Sequence, residues 1–277
     1  MAIKLICTDM DGTLLNTDHT VSDKNKATLK KAIDKGIIIA ISTGRLFTSA
    51  NFYRELIGIN TPIISSNGAY IKDRNTNKVI YENGLSLEET IEIYTILKNY
   101  NLSIFFNTWD TAISDKEFLN NHAYLISNEG ITNEEDKTKF IVEKDLINVL
   151  NKKNGEILKA ICIDYSKENI KEIQLARKEI EKLDKYEVVC SSPYNFEIMK
   201  KGTSKGNAVK TLAEMLGINK EEIMCIGDSE NDLSMIEYAG VGVAMGNALD
   251  IVKEKAKYIT LDNDHSGVAA AIEKYAL

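Results

Sequence analysis

Ile37-Ile38-Ile39-Ala40-Ile41 is a run with no polar side chain, four of its five residues β-branched. Successive side chains of a strand point to opposite faces, so a strand with one wet face alternates polar and apolar residues. An unbroken apolar run must be covered on both faces, as happens inside a parallel sheet with helices on either side. The flanking sequence agrees. Residues 22–35 place Ala27, Leu29, Ala32 and Ile33 among lysines, an amphipathic helix closed by Gly36, and a second helix is expected over residues 48–57. Similar runs at residues 3–6 and 62–66 also read as strands, and each of the three ends in small polar residues. The rhythm returns late in the chain, with a helix over 205–216 stopped by Gly217 and a strand over 223–226 ending in Gly227-Asp228-Ser229-Glu230-Asn231-Asp232. A short helix to Gly240, strands at 241–244 and 258–261, and helices at 250–255 and 268–275 complete this part. Open α/β sheets hold their ligands outside the carboxyl ends of the strands, where these polar residues gather.

The stretch between has a different pattern. Ser86 and Glu89 form a capping box ahead of a helix whose Leu87, Ile91, Tyr94 and Leu97 share a face. Residues 103–107 and 111–114 read as a hairpin turning at Trp109-Asp110. Helices at 145–152 and 167–183 bracket a strand at 157–163, a strand pair follows at 186–190 and 196–199, and residues 128–139 are the most loop-like. The expected organisation is a core from residues 1–83 and 200–277 with a compact α+β unit, residues 84–199, inserted into it.

At 277 residues and 44% hydrophobic composition the chain has ample apolar surface for such cores. The formal charge of -7, with Lys and Arg dispersed, offers no footprint for nucleic acid or an anionic membrane. No apolar run approaches the roughly 20 residues that span a bilayer, and Asp9 interrupts the only early one, so the expected compartment is the cytoplasm. Cys7, Cys162, Cys190 and Cys225 share no metal-ligand spacing and read as buried small hydrophobes; His19, His122 and His265 form no ligand cluster.

Cys7-Thr8-Asp9-Met10-Asp11-Gly12-Thr13 follows the first strand. Extended geometry carried through Asp11 puts the carboxylates of Asp9 and Asp11 on one side and Met10 on the other. Two carboxylates with no basic residue nearby in sequence need a cation, and an oxygen-only ligand set suits Mg²⁺. A calcium loop counted from Asp9 needs Gly and Glu where Leu14 and Thr20 stand. With Thr43, Arg45, Asn67, Lys205, Asp228, Asn231 and Asp232 at the other strand ends, the set is equipped for phosphoryl transfer. A carboxylate can attack phosphorus, a second carboxyl can move the proton, a cation and a lysine can mask charge, and a hydroxyl with main-chain N–H groups can hold phosphoryl oxygens.

Asp9-Met10-Asp11-Gly12-Thr13, Ser42-Thr43-Gly44-Arg45, Lys205 within Gly202-Thr203-Ser204-Lys205-Gly206, and Gly227-Asp228-Ser229-Glu230-Asn231-Asp232 resemble, in order, the four motifs of the haloacid dehalogenase superfamily. The insertion between the second and third motifs, with Ser66-Asn67-Gly68-Ala69, resembles its Cof-type branch, mostly phosphatases of sugar phosphates and other small metabolites. The resemblance implies a Rossmann-like parallel α/β core with an inserted α+β cap. It implies Asp9 as nucleophile and Mg²⁺ ligand, and Asp11 as general acid/base that also binds the metal through its main-chain carbonyl. Asp228 becomes the further metal ligand, and Thr43 and Lys205 join the catalytic set. Gly12, Thr43, Gly44, Arg45, Asn67, Lys205 and Asn231 become the phosphate- or substrate-binding set, with Asp232 behind them. Arg45 and Asn67 are expected at the mouth of the site, and Tyr124, Trp109, Tyr194 and Asn195 are candidates for the lid surface. The expected partner is a small phosphorylated metabolite, with no nucleic acid, no membrane and no oligomeric partner indicated. Other readings of the same residues are a phosphomutase, a receiver phosphorylated on aspartate, and a binding protein that retains the site.

Overall fold

The computed structural model describes residues 2–59, 62–73, 76–120 and 122–277. The apolar runs at the two ends of the chain assemble into one sheet. β1 (Leu5–Thr8) lies at its centre, flanked by β2 (Ile38–Ser42) and β12 (Ile223–Gly227), with β3 (Ile63–Ser65) beyond β2 and β13 (Val241–Ala244) and β14 (Tyr258–Ile259) beyond β12. All these pairings are parallel, so the carboxyl ends of β1, β2, β3 and β12 lie along one edge. β4 (Tyr70–Asp73) and β5 (Lys78–Glu82) extend the sheet past β3 as an antiparallel hairpin, giving eight strands.

Alternation in the strands decides the layers. Ile6, Ile39, Ile41, Met224 and Ile226 pack on one side with α1 (Asp23–Asp34), α2 (Phe47–Ile57), α9 (Asp250–Lys255) and α10 (Gly267–Tyr275). Leu5, Cys7, Ala40, Ile64 and Cys225 pack on the other with α7 (Lys205–Leu216) and α8 (Leu233–Tyr238). The helix ends follow local chemistry. The Ser22 hydroxyl accepts from the Asn25 N–H at the start of α1, that of Ser204 accepts from Asn207 at the start of α7, and left-handed Gly217 ends α7.

A second sheet of six strands has the order β10 (Tyr186–Val189), β11 (Asn195–Lys200), β9 (Lys159–Ile163), β6 (Ser103–Asn107), β7 (Thr111–Ser114), β8 (Lys139–Val142). Only the β7–β8 pairing is parallel. One face, with Ile104, Phe106, Ala160, Cys162, Phe196 and Ile198, is covered by α3 (Leu87–Leu97), α5 (Leu146–Lys152) and α6 (Ile170–Glu181). The other face turns toward the carboxyl edge of the first sheet.

The 103–114 hairpin, the capping box at Ser86 and Glu89, and both flanking helices form where the sequence places them. β4, β5, β8 and α4 (Ala123–Glu129) are not anticipated. β5 is an edge strand with exposed Lys78, Val79 and Glu82, so it lacks a buried-strand pattern, and α4 is barely two turns long. The expected strand at 258–261 is only Tyr258–Ile259. Cys190 departs from the reading of its class. Cys7, Cys162 and Cys225 are buried, but Cys190 is half-buried, with its Sγ 2.8 Å from a Glu230 carboxylate oxygen. No helix among the described residues is long and apolar enough to cross a membrane.

Gly68 shows how the fold positions one part of the site. It follows β3 with φ +96°, and a Cβ there would lie 2.3 Å from the carbonyl oxygen of Ser204, the residue that caps α7. Only glycine lets this turn press against the start of the helix that carries Lys205. Gly68→Ala should therefore lower stability by about 1–3 kcal/mol, read as a drop in the urea midpoint at unchanged slope.

Candidate active site

The end of β1 places the first acidic pair. The Asp9 N–H continues the ladder by donating to the Ile226 carbonyl at 3.0 Å, and Met10 then turns into the core while Asp9 and Asp11 face a cavity of about 410 Å³. Gly12, with φ +77°, makes the turn, and a Cβ on it would come within 2.6 Å of the Asp228 carboxylate. Glycine is thus needed both for the backbone angle and for the close approach of the β12 loop.

Lys205 is completely buried. Its ammonium donates to Asp9 Oδ1 at 2.7 Å and to Asp232 Oδ1 at 2.6 Å. Burial pulls the lysine pKa down, but Asp232 and Asp9 outweigh it and the net shift is upward, so the group stays charged. Asp232 also accepts from the N–H groups of Asp228 (2.9 Å) and Ser229 (3.0 Å), which shapes the loop after β12. Asp228 in turn accepts from Thr13 Oγ1 at 2.8 Å and Ser229 Oγ at 3.0 Å.

Asp9, Asp228 and Asp232 each offer an oxygen within 4.8 Å of the others. Asp9 and Asp232 share the Lys205 ammonium, while Asp228 meets hydroxyls instead. Burial first, then Lys205 in opposition and the neighbouring Asp232, Asp228 and Asp11, leaves the Asp9 pKa well above the ordinary carboxylate range. Burial and Asp232 push Asp228 up to about 6. An all-oxygen group this short of positive charge has the chemistry of a site for a hard divalent cation.

Asp11 has a different partner. Its half-exposed carboxylate is gripped by the Arg45 fork, Nε to Oδ2 at 2.7 Å and Nη2 to Oδ1 at 2.5 Å. Burial tends to raise the Asp11 pKa, but Arg45 overrides it and the net shift is downward. Arg45 itself is buried, lies over the Tyr53 ring and donates to Ser49. Thr43 is held by the turn after β2, its hydroxyl accepting from the Arg45 N–H at 3.1 Å.

Of the residues singled out in sequence, Asp9, Asp11, Gly12, Thr43, Gly44, Arg45, Asp228 and Asn231 line the cavity. Lys205 and Asp232 sit behind Asp9. Asn67 is buried rather than at the mouth, with left-handed backbone (φ 55°) and its amide between Glu197, to which it donates at 2.8 Å, and Asn231, from which it accepts at 3.1 Å. The Asn231 side-chain carbonyl is buried without a hydrogen-bond partner. From the proposed lid surface Tyr124 and Asn195 line the cavity. Trp109 and Tyr194 do not: Trp109 packs on Phe47 and under the Lys72 ammonium, and Tyr194 lies under Lys167.

Lys159 and Glu197 were not anticipated. They form a buried ion pair on the cavity wall, and Lys159 also donates to the Gly44 carbonyl across the two sheets. Their signal in sequence is a charged residue inside an otherwise apolar strand, Leu158-Lys159-Ala160 and Phe196-Glu197-Ile198. His122 was also missed as a lining residue. It is packed among Phe105, Phe118, Tyr124 and Phe140, and burial, with Arg45 adding, pulls its pKa down to about 4.

The chain belongs to the haloacid dehalogenase-like hydrolases, whose family pattern matches residues 6–272, and within them to the Cof-type branch. It is 36% identical to the 5-amino-6-(5-phospho-D-ribitylamino)uracil phosphatase YcsE of Bacillus subtilis, over 99% of this chain and 96% of that protein. Among solved structures it resembles a haloacid dehalogenase-like hydrolase from B. subtilis, with a TM-score of 0.85, 30% identity and 99% and 100% of the two chains covered. One from Bacteroides thetaiotaomicron gives a TM-score of 0.81 at 30% identity, covering 98% and 99%.

Two outcomes follow from these charges. Lys205→Met leaves Asp9 and Asp232 without their counter-ion and should cost about 3–5 kcal/mol of stability, measured by urea denaturation. For His122 the folded pKa lies below the unfolded value of about 6.5, so its neutral form is the one the fold favours. Its contribution is complete above pH 6.5 and is lost as pH falls toward 4, by up to about 3 kcal/mol. Urea midpoints at pH 7 and pH 4.5 should accordingly differ less in His122→Phe than in the parent.

Proposed function

We propose that this phosphatase hydrolyses phosphomonoesters of small metabolites, sugar phosphates or related compounds, through a phosphoryl group carried on Asp9. The observation that carries the reading is the Asp9 carboxylate at the cavity floor, held by the buried Lys205 ammonium and beside Asp228. Asp9 supplies the attacking oxygen, the bond from phosphorus to the leaving oxygen breaks, and Asp11 delivers a proton to that oxygen. Water then attacks the same phosphorus, Asp11 takes its proton, and the bond to Asp9 breaks to release phosphate. The Thr43 hydroxyl and the main-chain N–H groups of the turns at Gly12 and Gly44 form the surroundings in which phosphoryl oxygens are held.

Arg45 makes this cycle conditional. While its fork binds Asp11, that carboxyl stays ionised and carries no proton to deliver, because the ion pair favours the charged form. An incoming phosphate dianion competes for the guanidinium, and its arrival frees Asp11 to take up the proton it must deliver.

Mg²⁺ fits the carboxylates of Asp9 and Asp228, with the Asp11 main-chain carbonyl as the group that the resemblance adds. Asp232 is already committed to Lys205 and two N–H groups, so it supports the site from behind. When bound, the cation masks negative charge on the phosphate and on Asp9. Residues 84–199 act in this reading as a cap that closes over the site and excludes bulk water, with the cytoplasm as the place of action.

The test is phosphate release from an aryl phosphate and from a panel of sugar phosphates, with and without Mg²⁺. Release should depend on Mg²⁺ and fall by at least about 10³-fold in Asp9→Asn. Turnover that survives this substitution overturns the assignment. Mg²⁺ at 100 times its Kd should also add about 2.7 kcal/mol of stability, an effect absent in Asp228→Asn.

A further inference from the structure

The turn after β1 and the loop after β12 meet at the acidic pocket, and a third loop binds both of them. It runs from Met245 to Leu249, between β13 and α9. Its two ends are fastened to the β12 loop, since the Met245 N–H donates to the Gly227 carbonyl at 3.0 Å and the Leu249 N–H to that of Asp228 at 2.9 Å. From its middle the Asn247 side chain reaches the β1 turn, where Nδ2 donates to the Gly12 carbonyl at 2.8 Å. Asn247 itself is exposed and stands outside the cavity.

The carboxamide makes these contacts in one orientation only. Its Oδ1 accepts from the main-chain N–H of Asn263 at 3.1 Å, and because an N–H cannot accept, the oxygen must face Asn263 and the nitrogen Gly12. Asn263 is anchored in turn. Its buried side chain donates to the Leu15 carbonyl at 3.0 Å, and the neighbouring Asp264 carboxylate accepts from the Thr17 N–H at 2.8 Å.

The contact at Gly12 closes a ring of hydrogen bonds. Thr13 follows Gly12 across a planar peptide, so holding the Gly12 carbonyl limits where Thr13 can lie. The Thr13 hydroxyl donates to Asp228 Oδ1 at 2.8 Å, and the Asp228 carbonyl leads back through Leu249 to the loop that carries Asn247. The ring spans the boundary that electrostatics would open. Asp9, Asp228 and Asp232 offer oxygens within 4.8 Å of one another, and their mutual repulsion pushes the β1 turn and the β12 loop apart.

We infer that Asn247 is a positioning residue. It holds the Gly12–Thr13 peptide so that the Thr13 hydroxyl keeps the Asp228 carboxylate aimed at the cation site before any cation arrives, a preorganisation supplied from outside the cavity. The inference rests on the reading of Asp9 and Asp228 as that site.

The experiment obtains the Kd for Mg²⁺ from the rise of the urea midpoint with Mg²⁺ concentration in the parent, Asn247→Ala, Thr13→Val and the double variant. Asn247→Ala removes the hydrogen bond to Gly12 and should weaken Mg²⁺ binding by about threefold to tenfold. Thr13→Val removes the partner of Asp228 itself and should weaken it by about 10- to 100-fold. Because both act on one carboxylate along one path, the double variant should bind Mg²⁺ no more weakly than Thr13→Val. A residue that only steadies a surface loop would lower the urea midpoint of Asn247→Ala equally at every Mg²⁺ concentration and leave Kd unchanged, and that result overturns the inference. So does a double variant in which the two losses multiply. Should Thr13→Val fail to fold, the Asn247→Ala titration decides alone. Mg²⁺ that does not raise the midpoint of the parent sinks the cation site and the inference with it, whereas a parent that responds beside an Asn247→Ala that responds identically sinks only the inference.

Discussion

The buried ammonium of Lys205 is the contact on which the rest of the site depends. It joins Asp9, at the end of the first strand, to Asp232, in the loop after β12, and it is supplied by a helix that starts after the second sheet is complete. A charge with no exposure to water persists only when it is paired and hydrogen-bonded, and here two carboxylates meet that requirement. The arrangement still leaves the cluster with more negative than positive charge. That surplus is what makes the cavity floor suited to a cation and, once one is bound, to a phosphate.

Around this fixed centre further polar and charged side chains are paired. Arg45 holds Asp11, Lys159 holds Glu197, and Asn67 bridges Glu197 to Asn231. Each pair includes a residue of the cavity wall. The links from Lys159 to Gly44 and between Glu197 and Asn67 cross between the two sheets, so the position of the second sheet is coupled to the turns after β2 and β3.

Much of the core was legible because its signals are local. A run such as Ile37-Ile38-Ile39-Ala40-Ile41 has few ways to bury both faces, and a glycine after an amphipathic segment ends a helix wherever the helix lies. The elements that escaped notice, β4, β5, β8 and α4, are short or lie at edges, where periodicity is weak and pairing partners decide the conformation. The placement of Asn67 was misjudged for a related reason. Its polar side chain suggested exposure, yet a left-handed turn buries it between two hydrogen-bonding partners, one of them 130 residues away.

The sequence by itself determined that the chain is an α/β protein whose strands end in carboxylates, hydroxyls and a following lysine, because strand period, helix period and turn chemistry act over a few residues. Only the tertiary structure decided which of those groups touch. That Arg45 grips Asp11, that Lys205 lies between Asp9 and Asp232, and that β9 turns Ile161 and Ile163 toward the cavity all follow from the order of strands and their register. Charge and apolar surface act through space, and distance through space is set by packing the whole chain.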